Sequence, residues 1–417
     1  MKDIKSRINE ANKNVLKTIL AGEPHWVGMR PAGEAIPGMK ENYILHSGPP
    51  MSWERMKDIQ QKGILGGILH ERLAKTEEEA LALVNRGEIK YFSANDFGAI
   101  GPGVGIVTSS MVVNVCRNLD TGVEGYCIPF EGRIGLGAWG VYNENVEKDL
   151  QTIKTILAPA IDGVLQECGG INIKSIIARG MEMNDETHSR QVAQGLILVS
   201  EIVPLLLKSG LNQKELVQCV EMLVSTERWF HPLGMASALS IAKSVMNVEY
   251  STIVTAFASN GVDIGIKISA LGDQWFTAPS PAMTGAFFST QWGPEDALDL
   301  MGDSIMTEVM GMGGFAAAAA PAVVRLRGGT IKDAIQQTEE MKAICVGVNS
   351  NYPIPLLEFT GPPVGIDLRK VIDTGITPVC HGGILSKKGG QIGAGIARLP
   401  MEPFVEALRS FVEKYSL

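Results

Sequence analysis

"VEKDLQTIKTILAPAIDGVLQE", residues 146–167, repeats its apolar side chains at helical spacing for about six turns. "RQVAQGLILVSEIVPLLLKSG" (190–210) and "NQKELVQCVEMLVS" (212–225) continue the pattern with almost no strand signal between them. This run sets the organisation of the chain. It predicts a central helical domain over 146–250, between an N-terminal α/β domain (1–145) and a C-terminal α/β domain (251–417). The expected class is therefore α/β (α+β) and multidomain, and 417 residues exceed what one hydrophobic core usually serves.

On the N-terminal side, Ile4, Ile8, Ala11, Val15 and Ile19 carry the helical period over 3–21, and Gly22 with Pro24 stops it. "NYILHSGPP" (42–50) reads as a strand ending in a loop, "SWERMKDIQQKG" (52–63) as a helix, and "TEEEALALVNRG" (76–87) as a helix with a capping box at Thr76 and Glu79. "IKYFSA" (89–94) and "VVNVCRNL" (112–119) read as strands. An Asp120-Thr121-Gly122 turn then leads to "GYCIPF" (125–130) as a hairpin partner. On the C-terminal side, "VDIGIKIS" (262–269) alternates after an Asn260-Gly261 turn, and "GAFFST" (285–290) is a second strand candidate. Helices are expected at 303–320, 331–346 and 403–416.

Bulk properties exclude several classes. Thirty-seven basic and 45 acidic residues give a net charge of −8 with no basic stripe, which argues against nucleic acid as a partner. The N-terminus opens a polar helix, and "FAAAAAPAVV" (315–324), ten residues with a proline, is too short to span a bilayer. No membrane role and a cytoplasmic location are expected. Cys116, Cys127, Cys168, Cys219, Cys345 and Cys380 form no C-x-x-C pair and read as reduced core residues. Forty-seven glycines, against a usual share of roughly 7%, suggest tight turns and close backbone contacts. The small residues of 311–320 point to a homo-oligomer or a stable complex.

Five stretches carry candidate chemistry. "GAIGPGVGIVTSS" (98–110) could turn the N–H groups of Gly101, Gly103 and Gly105 and the hydroxyls of Thr108, Ser109 and Ser110 toward an anion. Its spacing fits neither the dinucleotide fingerprint nor the phosphate loop, and no cofactor is assigned. "HSGPPMSW" (46–53) sets His46 at a strand end, as acid, base or donor or as a plain turn residue. "MGDSIMTEVMGMGG" (301–314) offers Asp303, Ser304 and Glu308, which capping explains about as well as a ligand does. Residues 365–400 concentrate donors, with Arg369, His381, Lys387, Lys388, Gln391 and Arg398 among glycine loops. Glu182, Asp185, Glu186 and His188 contain hard-cation ligand types without ligand spacing, so no metal is assigned.

Taken together, "LHSGPPMSWERM" (45–56), "GPGVGIVTSSM" (101–111), "SALGDQWFTAP" (269–279), "MGDSIMTEVMGMGG", "AAPAVVR" (319–325), "VIDTGITPVCHGGI" (371–384) and "GQIGAG" (390–395) resemble the YlbE/AllG-type family. That family supplies a subunit of bacterial oxamate carbamoyltransferase. The resemblance runs along essentially the whole chain. It implies α/β domains with a distinct helical domain, and a complex with an FdrA-type subunit and a third, smaller protein. It also implies interconversion of oxalurate plus phosphate with oxamate plus carbamoyl phosphate, in anaerobic allantoin and purine breakdown.

That chemistry passes through a tetrahedral oxyanion. It needs donors at the oxyanion, cations for phosphate and carboxylate, and a base near the amide nitrogen. The expected roles follow from chemistry alone. Gly101, Gly103, Gly105, Thr108, Ser109 and Ser110 would cradle the anion; Arg369 and Arg398 would clamp substrate beside Gln391; His46 would be donor or base; Asp303 or Glu308 would orient them. Two alternatives stay open: a non-catalytic scaffold subunit, or a paralogous transferase subunit acting on another ureido acid.

Overall fold

The first helix, Ile4–Ala21, turns Ile8, Ala11, Val15 and Ile19 inward and ends at Gly22, as the apolar spacing requires. The structure, a computed structural model, describes residues 4–132 and 134–416; the expected helix start at Asp3 lies outside them. Strand Pro24–Pro31 follows and pairs antiparallel with Val112–Asn118, from Pro24↔Asn118 to Pro31↔Val112, with a bulge between Trp26 and Gly28. Glu124–Cys127 adds on as the expected hairpin partner, Gly122 supplying the positive φ of the turn. Ala99–Ile100 and Ile171–Asn172 complete this five-stranded sheet.

The central segment is mostly helical but not wholly so. Its helices include Glu144–Thr152, Ala158–Cys168, Ile173–Glu182, Val192–Leu206, Gln213–Val224 and Phe230–Lys243. A five-residue π-turn, Ile153–Leu157, joins the first two. Ile171–Asn172 is a strand on the edge of the N-terminal sheet. Phe230–Lys243 lies against that sheet, where the carbonyl of Ala236 would sit 2.4 Å from a Cβ at Gly125. Buried side chains from Ile8 to Phe411 join in one continuous core.

In the C-terminal third, Asp263–Ile268 sits between Val254–Asn260 and Phe276–Pro279, with Met301–Gly302 on the far edge. Thr284–Phe287 joins the hairpin of Val379–Leu385 and Gln391–Arg398. The chain is mixed α/β, as expected. Two expectations need correction. The helix expected over 303–320 breaks into short turns, because Gly311 and Gly313 take φ of 81° and 56°. The small residues of 311–320 are all buried inside the chain, with Gly314 against the carbonyl of Val379, so this stretch offers no surface to a second copy.

Candidate functional site

The glycine loop is closed by the protein itself. Asp303, buried, accepts from the N–H groups of Gly48 (2.7 Å) and Gly101 (3.2 Å). Ser47 donates its hydroxyl to the carbonyl of Gly103 (2.7 Å). A Cβ at Gly101 would lie 2.5 Å from the Cα of Gly105, and one at Gly105 would lie 2.7 Å from Ser47. These glycines therefore serve backbone-to-backbone packing. Burial raises the Asp303 pKa to about 7, against the two N–H groups that favour the anion. His46 is buried, donates Nδ1–H to the carbonyl of Ser47 (2.8 Å), and is held by burial on the neutral side of its ordinary pKa.

The hydroxyls at the end of the motif lie elsewhere. Thr108 is buried in strand Val107–Thr108, the carbonyl of Ser109 accepts from Gly33 N–H, and Ser110 bonds to His70 at 3.1 Å. Arg369 grips the buried Asp367 through Nη2 (2.7 Å) and Nε (3.2 Å) and also binds Asn9. Arg398 pairs with Glu340 at 2.6 Å. The two arginines thus hold different carboxylates of the chain, and no cavity described below is lined by either.

What the structure does bring together is a cleft with two parts. The outer part, about 820 Å³, lies among Phe130, Trp139, Thr226, Arg228, Phe288 and Gln391. It narrows into an inner cavity of about 80 Å³, reached past Phe130, Trp139, Arg228 and Gln391, which line both parts. At about 30 Å³ per water the inner part has room for about three water-sized groups. Gly103 and Ser304 line it, and so do His188, Ser189, Gln191 and His231. Of the expected site residues, Gly103 and Gln391 reach this cavity, and Glu308 stands directly behind it.

Backbone geometry explains how these side chains converge. His188, Ser189 and Gln191 sit in the loop between helices Ile173–Glu182 and Val192–Leu206, which turns through positive φ at Asn184 (69°) and Thr187 (76°). A β-branched residue at positive φ is strained, and such strain gathers at functional sites. Gln194 holds Thr187 by donating Nε2–H to its hydroxyl at 2.8 Å. Arg228 lies in the single turn Glu227–Trp229 and His231 in the first turn of helix Phe230–Lys243.

Behind the cavity lies a buried network. His188 donates Nδ1–H to Glu308 at 2.9 Å. Glu308 also accepts from Thr307 Oγ1 (2.8 Å), Gly314 N–H (3.0 Å) and His381 N–H (2.9 Å). Gly313 has to be glycine here, since a Cβ would lie 2.2 Å from Glu308 Oε1. Glu186 accepts from the N–H groups of Ser189 and Arg190 and stands 3.4 Å from His381 Nδ1. Asp185 accepts instead from Gln194 N–H (2.8 Å). Among the described residues no group of three or more His, Cys, Asp or Glu is arranged to hold a metal ion.

The rings of His188 and His231 stack 5.5 Å apart at 18°. Their electrostatics diverge. Burial alone would lower the His188 pKa, but the charge and hydrogen bond of Glu308, with Glu186 behind, lift it above its ordinary value. His231 is pushed well below its ordinary value by burial and by the charges of His188 and Arg228. His231 Nε2, Gln191 Oε1 and Ser189 Oγ are buried and have no partner within the protein. Buried polar atoms are ordinarily bonded, so three such atoms around one cavity point to a ligand. Arg228, at the junction, donates to Gln391 Oε1 at 2.7 Å.

Comparison with known proteins decides the family. Residues 89–304 match the family described as oxamate carbamoyltransferase subunit AllG. The chain is also 34% identical to the oxamate carbamoyltransferase subunit AllG of Escherichia coli (strain K12), across 98% of this chain and 99% of that protein. This chain belongs to the AllG family. The chain is also 33% identical to the uncharacterized protein YahG of the same organism, over 99% of this chain and 87% of that protein. A crystal structure of a conserved protein of unknown function from Enterococcus faecalis V583 superposes with a TM-score of 0.95 at 33% identity, covering 99% of both chains.

Sequence reading missed His231 and Arg228, and it read His188 only as a cation ligand. One signal was available: "STERWFHP" (225–232) sets an arginine and a histidine three apart, beside a proline, at the junction of two helical patterns.

Proposed function

We propose that this chain is a subunit of a carbamoyl-transferring enzyme that interconverts oxalurate plus phosphate with oxamate plus carbamoyl phosphate, and that the inner cavity takes oxamate. Membership of the AllG family supports the reaction class. The observation that carries the choice of cavity is its pattern of unpartnered atoms. Gln191 Oε1 can only accept, and a neutral His231 accepts at Nε2 in the tautomer protonated at Nδ1. Their ligand must bring N–H groups, and the carboxamide of oxamate does. Arg228, on the path to the outer part, supplies the cation for the carboxylate at the other end. The outer part then leaves space for the carbamoyl donor.

In the oxamate-consuming direction the amide nitrogen attacks the carbamoyl carbon and phosphate departs with its bonding electrons. His188, fixed by Glu308 and favoured in its protonated form, would then stabilise the negative charge that develops. An FdrA-type protein and a third, smaller subunit would complete a cytoplasmic assembly serving allantoin breakdown. The near-equal identities to AllG and YahG support a second reading, a paralogous subunit handling another ureido acid through the same cavity.

Calorimetric titration with oxamate and with oxalate separates these ideas from a scaffold role. Oxalate keeps the charge but brings only acceptors to Gln191 and His231. Leaving such a buried pair unsatisfied weakens binding by about tenfold to a hundredfold. Oxamate should bind more tightly than oxalate by that factor. Equal binding of the two would overturn the assignment of the cavity, and absence of binding by either would favour the scaffold or the other ureido acid.

A further inference from the structure

Gln191 and His231 both line the inner cavity and each carries a buried acceptor with no partner in the protein, but only one of them can take up a proton. We infer that His231 is the catalytic residue that exchanges a proton with the amide nitrogen at which the carbamoyl group is transferred, with His188 and Glu308 as its positioning pair. This rests on the proposed function, because it assumes oxamate in the inner cavity.

The amide nitrogen of oxamate forms a bond to the carbamoyl carbon while one of its N–H protons passes to His231 Nε2. The C–O bond to phosphate breaks, its electrons leave with the phosphate, and the proton follows to a phosphate oxygen. In the opposite direction a protonated His231 returns the proton to the departing amide nitrogen of oxalurate as phosphate attacks.

The geometry favours His231 over its neighbours. His188 already commits Nδ1–H to Glu308, whose charge favours the protonated ring, so it is a donor. Glu308 already accepts from Thr307, Gly314, His188 and His381 and does not line the cavity. His381 contacts Gln337 through Nε2 (3.0 Å) and faces Glu186 with Nδ1, and it does not line the cavity. His46 is absent from the lining too. The charged and titratable groups facing His231 are His188, stacked on it, and Arg228, one turn before it, with Glu308 and Glu186 behind His188. A cation on each near side keeps His231 neutral at rest and drives the proton onward once it has arrived. A neutral base has an open lone pair for the incoming proton, and a base that releases it readily is ready for the next turnover.

The test uses the native complex with oxamate and carbamoyl phosphate. For His231→Gln, kcat should fall by about 10²- to 10⁴-fold in both directions, with oxamate affinity within about threefold of wild type. The acidic limb of the wild-type kcat/KM profile should disappear in the variant. Transfer within twofold of wild type would overturn the inference, and so would a loss of oxamate affinity large enough to account for the whole loss of rate, which would leave His231 a binding contact only. Where that variant does not fold, Glu308→Gln takes its place. Loss of the anion lowers the charge on His188, raises the proton affinity of His231, and should move the acidic limb to higher pH; an unmoved limb would count against the pair. If the wild-type complex binds no oxamate in calorimetry, the proposed function fails; if it binds oxamate and His231→Gln still turns over normally, only this inference does.

Discussion

The glycine turn at 101–105 and the cavity beside His188 are both buried, polar and glycine-lined, yet they treat their polar atoms in opposite ways. In the loop, the Asp303 oxygens meet N–H groups of Gly48 and Gly101, and the Ser47 hydroxyl meets the carbonyl of Gly103. In the cavity, His231 Nε2, Gln191 Oε1 and Ser189 Oγ meet nothing in the protein. A satisfied buried network holds a fold together, whereas a half-satisfied one is costly unless a ligand completes it. Richness in glycine and hydroxyls marks close packing as readily as it marks anion binding. The two regions touch at Gly103, whose carbonyl belongs to the latch and whose backbone lines the cavity.

Substitutions can pull the two regions apart. The largest effect is expected at Gly103→Val. Its φ is 60° and a Cβ would lie 2.0 Å from the carbonyl of Ala138, so the change should destabilise the chain by about 3–5 kcal/mol in denaturant titration. A stable Gly103→Val chain would show that the loop is not a latch. Arg228→Ala should leave stability nearly unchanged and weaken oxamate binding by about tenfold to a hundredfold in calorimetry. Unchanged affinity would remove the cation from the proposed site.

Asp303→Asn should cost about 1–3 kcal/mol, because an amide N–H₂ replaces an acceptor facing a backbone N–H. It should also change the pH dependence. The folded-state pKa, about 7, lies above the ordinary 3.8, so the native chain holds a proton there that the unfolded chain has lost. This contribution to stability is full below about pH 4 and disappears as pH rises through 7. Melting followed from pH 4 to pH 8 should therefore fall less steeply in Asp303→Asn than in wild type. The smallest effect is expected at Arg369→Lys, which keeps a charge beside Asp367 but loses the paired hydrogen bonds. About 1 kcal/mol of stability should be lost, and oxamate affinity should stay within twofold.

Much of the architecture was legible because periodicity is a local property. The first helix, the Tyr43–His46 strand, the Asn260-Gly261 turn and the hairpin after Asp120-Thr121-Gly122 all follow from apolar spacing and turn residues. The 303–320 segment misled because its alanines favour helix, while Gly311 and Gly313 adopt positive φ and lie against the Pro363 carbonyl and the Glu308 carboxylate. Asp303, Glu308 and Gln391 were legible as polar residues in unusual surroundings, but their partners were not. Glu308 meets His188 across 120 residues and Gln391 meets Arg228 across 163. No spacing rule reaches that far. Arg369 looked like a clamp because its partner Asp367, two residues before it, reads equally well as a helix cap, and it is both.

The central claim is that the cavity bounded by His188, Gln191 and His231 holds the carboxamide of oxamate. A crystal structure of the chain grown with oxamate tests it most directly. The account predicts oxamate in the inner cavity, its amide nitrogen within hydrogen-bond distance of Gln191 Oε1 and His231 Nε2 and its carboxylate toward Arg228. Oxamate bound instead in the glycine loop, or an inner cavity that holds only water at saturating oxamate, would contradict it.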